Sequence, residues 1–150
     1  MSPKRRKPKP GSDDDRRLRT VLEYIGPEFV EDGARRIRPE DVDVLAAELD
    51  QVRALFDEST TLQRFSREAR LMISLIDDFH TGRYLQAPYF SVALVAFALG
   101  YAIKPVDIIP DSLPIIGQLD DAMVMAHCST LVREELQAYK IWKLATELDD

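Results

Sequence analysis

Cysteine, histidine and glycine are scarce in this chain of 150 residues, which contains one Cys, two His and six Gly. The single cysteine, Cys128, cannot form an internal disulfide, and no zinc-type spacing of Cys and His surrounds it. Because disulfides are typical of exported proteins, their absence predicts a reducing compartment and an intracellular location, either cytoplasmic or membrane-associated.

Patterns of known chemistry are also missing. The sequence has no strand-like alternation of useful length, no internal repeat, no glycine-rich phosphate loop, no Ser/His/Asp arrangement and no HExxH pair. We therefore expect an all-α protein without a catalytic constellation and without a cofactor. The predicted architecture is a small bundle of about five helices, formed by residues 16–150 as a single domain.

The N-terminal segment differs from the rest in charge. Residues 1–19 carry eight Lys/Arg and three Asp, and the basic stretch 4–10 contains two prolines that block a helix. The acidic Asp13 to Asp15 stand where a secretory signal needs an apolar stretch, so secretion is not expected. Residues 1–15 are predicted to be a disordered tail, which either only aids solubility or weakly contacts anionic lipid or nucleic acid.

The remainder of the chain is acidic, with twelve Lys/Arg and 23 Asp/Glu. A negative body repels phosphate backbones, so no nucleic acid is expected to bind through the folded part.

Apolar residues at helical spacing predict two helices in the first part of the body. The first ends at Gly26-Pro27, an irregular stretch containing Gly33 follows, and the second begins at Pro39. The stripes that these helices should bury are Leu18, Val21, Leu22 and Ile25, and then Val42, Leu45, Leu49, Val52 and Phe56.

A third helix is predicted from about Thr61 to His80, with Asp78 in water and Gly82 closing the helix. Its buried stripe should contain Leu62, Phe65, Ala69, Met72, Ile73, Ile76 and Phe79.

Residues 84–103 contain no charged side chain, and residues 92–99 are apolar all round. This segment suits either a central helix of the bundle or a single membrane span. A last helix over 118–148 is predicted to pack antiparallel to it. The expected stripe of that helix is Val124, Leu131, Ala138, Trp142 and Ala145.

Between these two helices lies a segment rich in proline and aspartate. Its pattern is Tyr-x-x-x-Pro-x-Asp-x-Ile-Pro-Asp-x-x-Pro-x-x-Gly-x-x-Asp-Asp, formed by Tyr101, Pro105, Asp107, Ile109, Pro110, Asp111, Pro114, Gly117, Asp120 and Asp121. The pattern resembles the signature of the YkvA-like family (domain of unknown function 1232) over about residues 84–130, although Lys104 differs from the small polar residue often found there. The resemblance implies a helical hairpin joined by a Pro/Asp-rich turn, assigns no reaction, and implies that many relatives are membrane-associated.

The turn has two interpretations. In the first, the prolines end one helix, Asp107 and Asp111 bond backbone amides of the turn, and Asp120 and Asp121 occupy the opening turn of the next helix. In the second, these four carboxylates hold a hard cation such as Mg²⁺ or Ca²⁺. The spacing is not that of an EF-hand loop, because Ile109 and Ser112 fall where an acid or amide and a glycine are needed.

Other candidate residues are less specific. Asp77, Asp78 and His80 gather at the end of the third helix, where acidic side chains oppose the helix dipole, and Arg83 is their expected partner. His127 is either a residue at the edge of the core or part of a His/Asp site. We expect the thiol of Cys128 to be buried and inert.

Three functional hypotheses follow from these patterns. The first is a non-catalytic helical module that binds an unknown protein partner or a membrane surface. Its apolar contact patch would consist of Ile108, Ile109, Leu113, Ile115 and Ile116. The second is insertion into a membrane through residues 84–103, and the third is a metal-dependent activity at Asp107, Asp111, Asp120 and Asp121. The oligomeric state is left open, because the pattern permits a dimer without requiring one.

Overall fold

The computed structural model of the chain describes residues 16, 19, 23–103 and 118–149. Within these residues it contains seven α-helices, one 3₁₀ helix and no strand, which confirms the predicted all-α class. The α-helices are α1 (Pro27–Arg35), α2 (Pro39–Ala46), α3 (Leu49–Glu58), α4 (Ser66–His80), α5 (Tyr89–Ile103), α6 (Gln118–Leu131) and α7 (Arg133–Asp149), with the 3₁₀ helix at Gln63–Phe65. Of the predicted first helix, only residues 16, 19, 23 and 24 lie among the described helical residues.

Helix α5 lies at the centre of the bundle. Eleven of its fifteen residues are buried, and α1, α2, α3, α4 and α6 all pack against it. A helix that is apolar on every side has no face suited to water, and the surrounding helices bury it except at its start, where Tyr89 and Phe90 are exposed. Of the two alternatives that the sequence left open for this segment, the structure has the central helix.

The start of α5 differs from the prediction, because residues 84–88 lie outside any helix and α5 begins at Tyr89. Among the residues that the structure describes, no helix combines the length and the apolar character needed to cross a membrane.

Helix α1 occupies the stretch that the sequence predicted to be irregular, so that prediction was wrong. Its buried residues are Val30, Gly33 and Ala34, and the helix packs closely on α5. A β-carbon placed on Gly33 would lie 2.1 Å from Cε2 of Phe97. Gly33 is therefore not a helix breaker here but the residue that lets the two helices approach each other.

The predicted second helix is divided into α2 and α3. The backbone amides of Ala47 and Glu48 donate to the carbonyls three residues earlier, which tightens the chain into a turn at the end of α2. The predicted stripe nevertheless holds, because all five of its residues are buried: Val42, Leu45, Leu49, Val52 and Phe56. At the end of α4, Gly82 has φ of 80°, a backbone conformation that suits glycine, so its predicted role as the closing residue is confirmed.

The predicted last helix is also divided, at Val132, into α6 and α7. Helix α6 runs antiparallel to α5, as predicted. Cys128, near the end of α6, contacts Leu94, near the start of α5, while Asp120, at the start of α6, acts on Tyr101 at the end of α5.

After the break only Trp142 of the predicted stripe packs against the core, because Ala138 and Ala145 are exposed. The residues that α7 and the break itself bury are Val132, Leu136 and Tyr139. Large side chains with partners on other helices, rather than the small alanines, decide which face of α7 turns inward.

Candidate functional site

Most of the predicted signature lies outside the described residues. Residues 104–117 contain seven of the ten signature positions, namely Pro105, Asp107, Ile109, Pro110, Asp111, Pro114 and Gly117. They also contain the whole predicted contact patch, Ile108, Ile109, Leu113, Ile115 and Ile116. The roles predicted for these residues therefore stay predictions.

The remaining signature residues meet where α5 ends and α6 begins. Tyr101, Asp120 and Asp121 are all buried, and the two aspartates stand in the first turn of α6, as predicted. The hydroxyl of Tyr101 and Oδ1 of Asp121 are buried without a hydrogen-bond partner among the described residues. The hairpin thus buries two carboxyl groups and one phenol hydroxyl between α5 and α6.

Burial changes the acid–base behaviour of this group. Desolvation, and then the charge of Asp120, raises the pKa of Asp121 to about 7. Desolvation and the two carboxylates also raise the pKa of Tyr101 above its ordinary value. Asp121 is consequently protonated in a large fraction of molecules near neutral pH, and the neutral acid can donate a hydrogen bond.

The described residues contain no group of three or more His, Cys, Asp or Glu side chains that could hold a metal ion. Two of the four carboxylates predicted as metal ligands, Asp107 and Asp111, lie outside the described residues.

A second polar cluster is centred on Asp78, near the C-terminal end of α4. The sequence placed this side chain in water, but it is only 5% exposed, so that prediction was wrong. Its Oδ1 accepts a hydrogen bond of 2.8 Å from Nε of Arg83. Its Oδ2 accepts hydrogen bonds from the hydroxyl of Tyr139 and, at 3.3 Å, from Nζ of Lys143.

The predicted partnership of Arg83 with the acidic end of α4 is confirmed, since Nη2 of Arg83 also contacts Oδ2 of Asp77 at 3.0 Å. Burial by itself raises the pKa of Asp78. The hydrogen bonds from Tyr139 and Arg83, together with Lys143, outweigh burial and hold this pKa below its ordinary value. Asp78 is therefore an ionised carboxylate with both oxygens engaged, which suits a structural role.

Three aromatic rings strengthen the attachment of α7 at the same place. Tyr84 packs edge-on against Trp142, with ring centroids 4.8 Å apart, and against Tyr139, at 5.0 Å. Edge-to-face pairs of this kind contribute about 0.5–1.5 kcal/mol each beyond burial. The rings and the Asp78 cluster together fix which face of α7 turns toward α4. Sequence reasoning missed Tyr139 and Lys143, which are 61 and 65 residues from Asp78.

The two histidines and the cysteine occupy separate places. Nδ1 of His80 lies 3.0 Å from Oδ1 of Asp43 at the surface, where α4 meets α2. His127 is half-buried on α6 and forms no ion pair among the described residues. Cys128 is fully buried, its Sγ lies 3.4 Å from the carbonyl oxygen of Leu94, and burial raises the pKa of its thiol to about 12. An inert thiol was predicted, and the burial agrees with that prediction.

From Ala138 onward, the outward face of α7 is apolar. Ile141, Leu144 and Leu148 are 61%, 52% and 85% exposed, and they follow one another at helical spacing. Exposed Ala138 and Ala145 lie on the same side of the helix. We call this surface the α7 stripe. The sequence analysis placed Ala138 and Ala145 on a buried stripe and assigned Ile141, Leu144 and Leu148 to neither face.

Residues 91–126, which cover most of α5 and the first part of α6, match the family described as "Protein of unknown function (DUF1232)". The chain is also 34% identical over 70 residues to a Bacillus subtilis (strain 168) protein described as "Uncharacterized membrane protein YkvA". That alignment spans 47% of this chain and 66% of the relative. No solved structure matches the chain. Residues 91–126 therefore carry the segment typical of this family of unknown function, as the signature predicted.

Proposed function

We propose that the protein is a non-catalytic interaction module that binds the surface of a membrane through the α7 stripe. The observation that carries this proposal is the exposure of Ile141, Leu144 and Leu148 on a helix whose opposite face is anchored by Asp78 and aromatic rings. A helix with one face anchored to the protein and one free apolar face can lie in the headgroup region with its apolar side chains among the acyl chains.

The shape and size of the stripe favour a membrane over a protein partner. A helix of 17 residues is about 25 Å long, and a row of five side chains on it exposes on the order of a few hundred Å². A standard protein interface buries about 800 Å² on each partner. A bilayer, in contrast, accepts a single narrow apolar row. The name of the Bacillus subtilis relative, a membrane protein, supports the same occupant.

The polar clusters support a role without catalysis. Both oxygens of Asp78 are engaged by hydrogen bonds, and burial keeps much of Asp121 protonated near neutral pH. Neither carboxylate resembles an exposed general base, which needs reach to a substrate as well as a suitable pKa.

Sedimentation with lipid vesicles tests the proposal. The double variant Ile141→Ser/Leu148→Ser should bind vesicles of phosphatidylcholine and phosphatidylglycerol at least about tenfold more weakly than the unchanged protein. Burying one such side chain contributes about 1.5–3 kcal/mol when burial is complete, and 1.4 kcal/mol is tenfold in affinity. Val44→Ser, at an exposed apolar residue of α2, is the matched control and should bind as the unchanged protein does. Equal binding by the double variant and the control would contradict the proposal.

Extraction from cell membranes separates surface binding from insertion. The central position of α5 among five other helices favours surface binding over the insertion predicted for residues 84–103. Alkaline carbonate should therefore release the protein from membranes. Retention until detergent is added would favour insertion instead.

A metal-dependent activity at the acidic turn is a second candidate, supported by the buried pair Asp120 and Asp121 and the unpartnered hydroxyl of Tyr101. A cation between these groups would offset the cost of burying two carboxylates together. Calorimetric titration with Mg²⁺, Mn²⁺ and Ca²⁺ tests it. Absence of heat with all three ions would remove this candidate, and heat that is lost in Asp121→Asn would favour it.

A further inference from the structure

A groove between α4 and α7 concentrates positive charge on an acidic protein. It has a volume of about 800 Å³. Five of the twelve Lys/Arg residues after residue 19 line it, but only one of the 23 acidic residues, Glu68, does so. The five basic residues are Arg67, Arg70, Arg133, Lys140 and Lys143. We call this feature the basic groove.

Most of this charge is not neutralised within the protein. Arg67, Arg133 and Lys140 form no ion pair among the described residues. Arg70 lies 3.5 Å from an oxygen of Asp57 across an exposed gap, and Lys143 shares Asp78 with two other donors. Gathering like charges costs free energy unless an anion enters between them, so the arrangement suits an anionic ligand.

Neutral hydrogen-bond donors line the same groove. The hydroxyl oxygen of Ser129 is buried and has no hydrogen-bond partner among the described residues, and Ser74 and Gln137 stand nearby in the lining. A buried hydroxyl without a partner is costly, because its lost hydration is not replaced. An oxyanion in the groove would accept this hydrogen bond as well as those of the guanidinium groups.

The basic groove opens beside the α7 stripe. Lys140 precedes Leu144 by four residues, and Gln137 precedes Ile141 by four, so each pair lies on one side of the helix. If the stripe lies among acyl chains, the adjoining groove reaches the level of the lipid phosphates. Guanidinium groups suit this position, because their planar donors match phosphate oxygens in pairs.

We propose that the basic groove binds the phosphate group of an anionic lipid headgroup. This inference rests on the proposed function and adds the chemistry of the lipid to it. The apolar stripe supplies attachment that does not depend on lipid charge, and the groove supplies preference for anionic phospholipid. Each basic side chain near an anionic surface contributes about 1 kcal/mol to such a preference.

Two vesicle compositions test the groove separately from the stripe. Arg67→Gln/Arg133→Gln should weaken binding to vesicles of phosphatidylcholine with phosphatidylglycerol by about tenfold or more, and leave binding to phosphatidylcholine alone unchanged. Arg36→Gln/Arg53→Gln removes the same charge from exposed positions outside the groove and should have little effect. Equal binding by the two double variants would overturn the groove inference.

The remaining outcomes distinguish the two proposals. If the protein binds neither vesicle, the proposed function fails, and the groove inference fails with it. If only the stripe variant loses binding, the proposed function stands and the groove inference does not.

Calorimetry with inorganic phosphate and with glycerol phosphate completes the test. Suppose that either phosphate compound binds the unchanged protein and fails to bind Arg67→Gln/Arg133→Gln, while the variant binds vesicles as the unchanged protein does. This result would assign the groove to a soluble phosphate and overturn the lipid assignment.

Discussion

The hairpin of α5 and α6 and the C-terminal helix α7 are held in the protein in different ways. The hairpin carries the family segment, and apolar contacts with neighbours on all sides of α5 hold it. In contrast, α7 is attached along one face, through Asp78 and three aromatic rings, and leaves its apolar stripe exposed. Burial fixes the position of an element, whereas a directional polar anchor also fixes which face of the element is left for a partner.

Removal of the anchor should have the largest effect on stability. Asp78→Ala leaves the buried hydroxyl of Tyr139 and the charge of Lys143 without their acceptor, so we expect a loss of about 3 kcal/mol in the free energy of unfolding. Urea denaturation measures this loss. Asp77→Ala, at an exposed neighbour that also contacts Arg83, is the matched control and should cost under about 1 kcal/mol.

The same variant tests whether the two regions are separate. Amide hydrogen exchange in Asp78→Ala should quicken along α7 and stay slow in α5, because the contacts of α5 with its other neighbours are unchanged. A uniform rise in exchange across both helices would contradict the comparison.

A smaller effect is expected where α1 meets α5. Gly33→Val forces side-chain atoms into the ring of Phe97 and should cost about 2 kcal/mol by overpacking. Gly100→Ala is the control on α5, since no atom lies within 4 Å of a β-carbon there, and it should stabilise the helix by up to about 1 kcal/mol. Thermal or urea unfolding of both variants checks the pair, and similar effects of the two changes would argue against a tight crossing at Gly33.

The last effect concerns the buried acid of the hairpin and depends on pH. The pKa of Asp121 is about 7 in the folded protein against an ordinary value of 3.8, so between these pH values the folded state holds a proton that the unfolded chain has released. Stability from this group is therefore full at low pH and is lost as the pH rises toward 7 and beyond.

Asp121→Asn keeps a neutral side chain at every pH, so its stability relative to the unchanged protein should rise between pH 5 and pH 8, by roughly 1–3 kcal/mol. Urea midpoints of both proteins at the two pH values provide the measurement. A relative stability that falls between these pH values would mean that the carboxylate is needed in its charged form, as a bound cation would require.

Local patterns predicted the parts of this fold that depend on local causes. The uncharged run in α5 limited this segment to a central helix or a membrane span. The apolar spacing from Val42 to Phe56 predicted a buried stripe, and Gly82 predicted a helix end. The acidic end of α4 pointed to Arg83, because a compensating charge stands a few residues away. Each of these features depends on residues that are close together along the chain.

The wrong predictions concern residues whose contacts depend on groups far away along the chain. The stretch containing Gly33 was predicted to be irregular because the close partner of Gly33, Phe97, is 64 residues away along the chain. Asp78 was predicted to lie in water because Tyr139 and Lys143 are 61 and 65 residues away. Ala138 and Ala145 were predicted to be buried because the spacing of apolar residues alone does not show which face of α7 packs on α4.

The sequence by itself therefore determined the helical class, the family signature and the segment that must be buried, because periodicity, charge and proline placement act locally. The tertiary structure alone decided that Asp78 is a buried anchor, that Ile141, Leu144 and Leu148 face outward, and that five basic side chains share one groove. The physical reason is that a side chain's burial and charge balance depend on groups brought to it by folding, and those groups lie far along the chain.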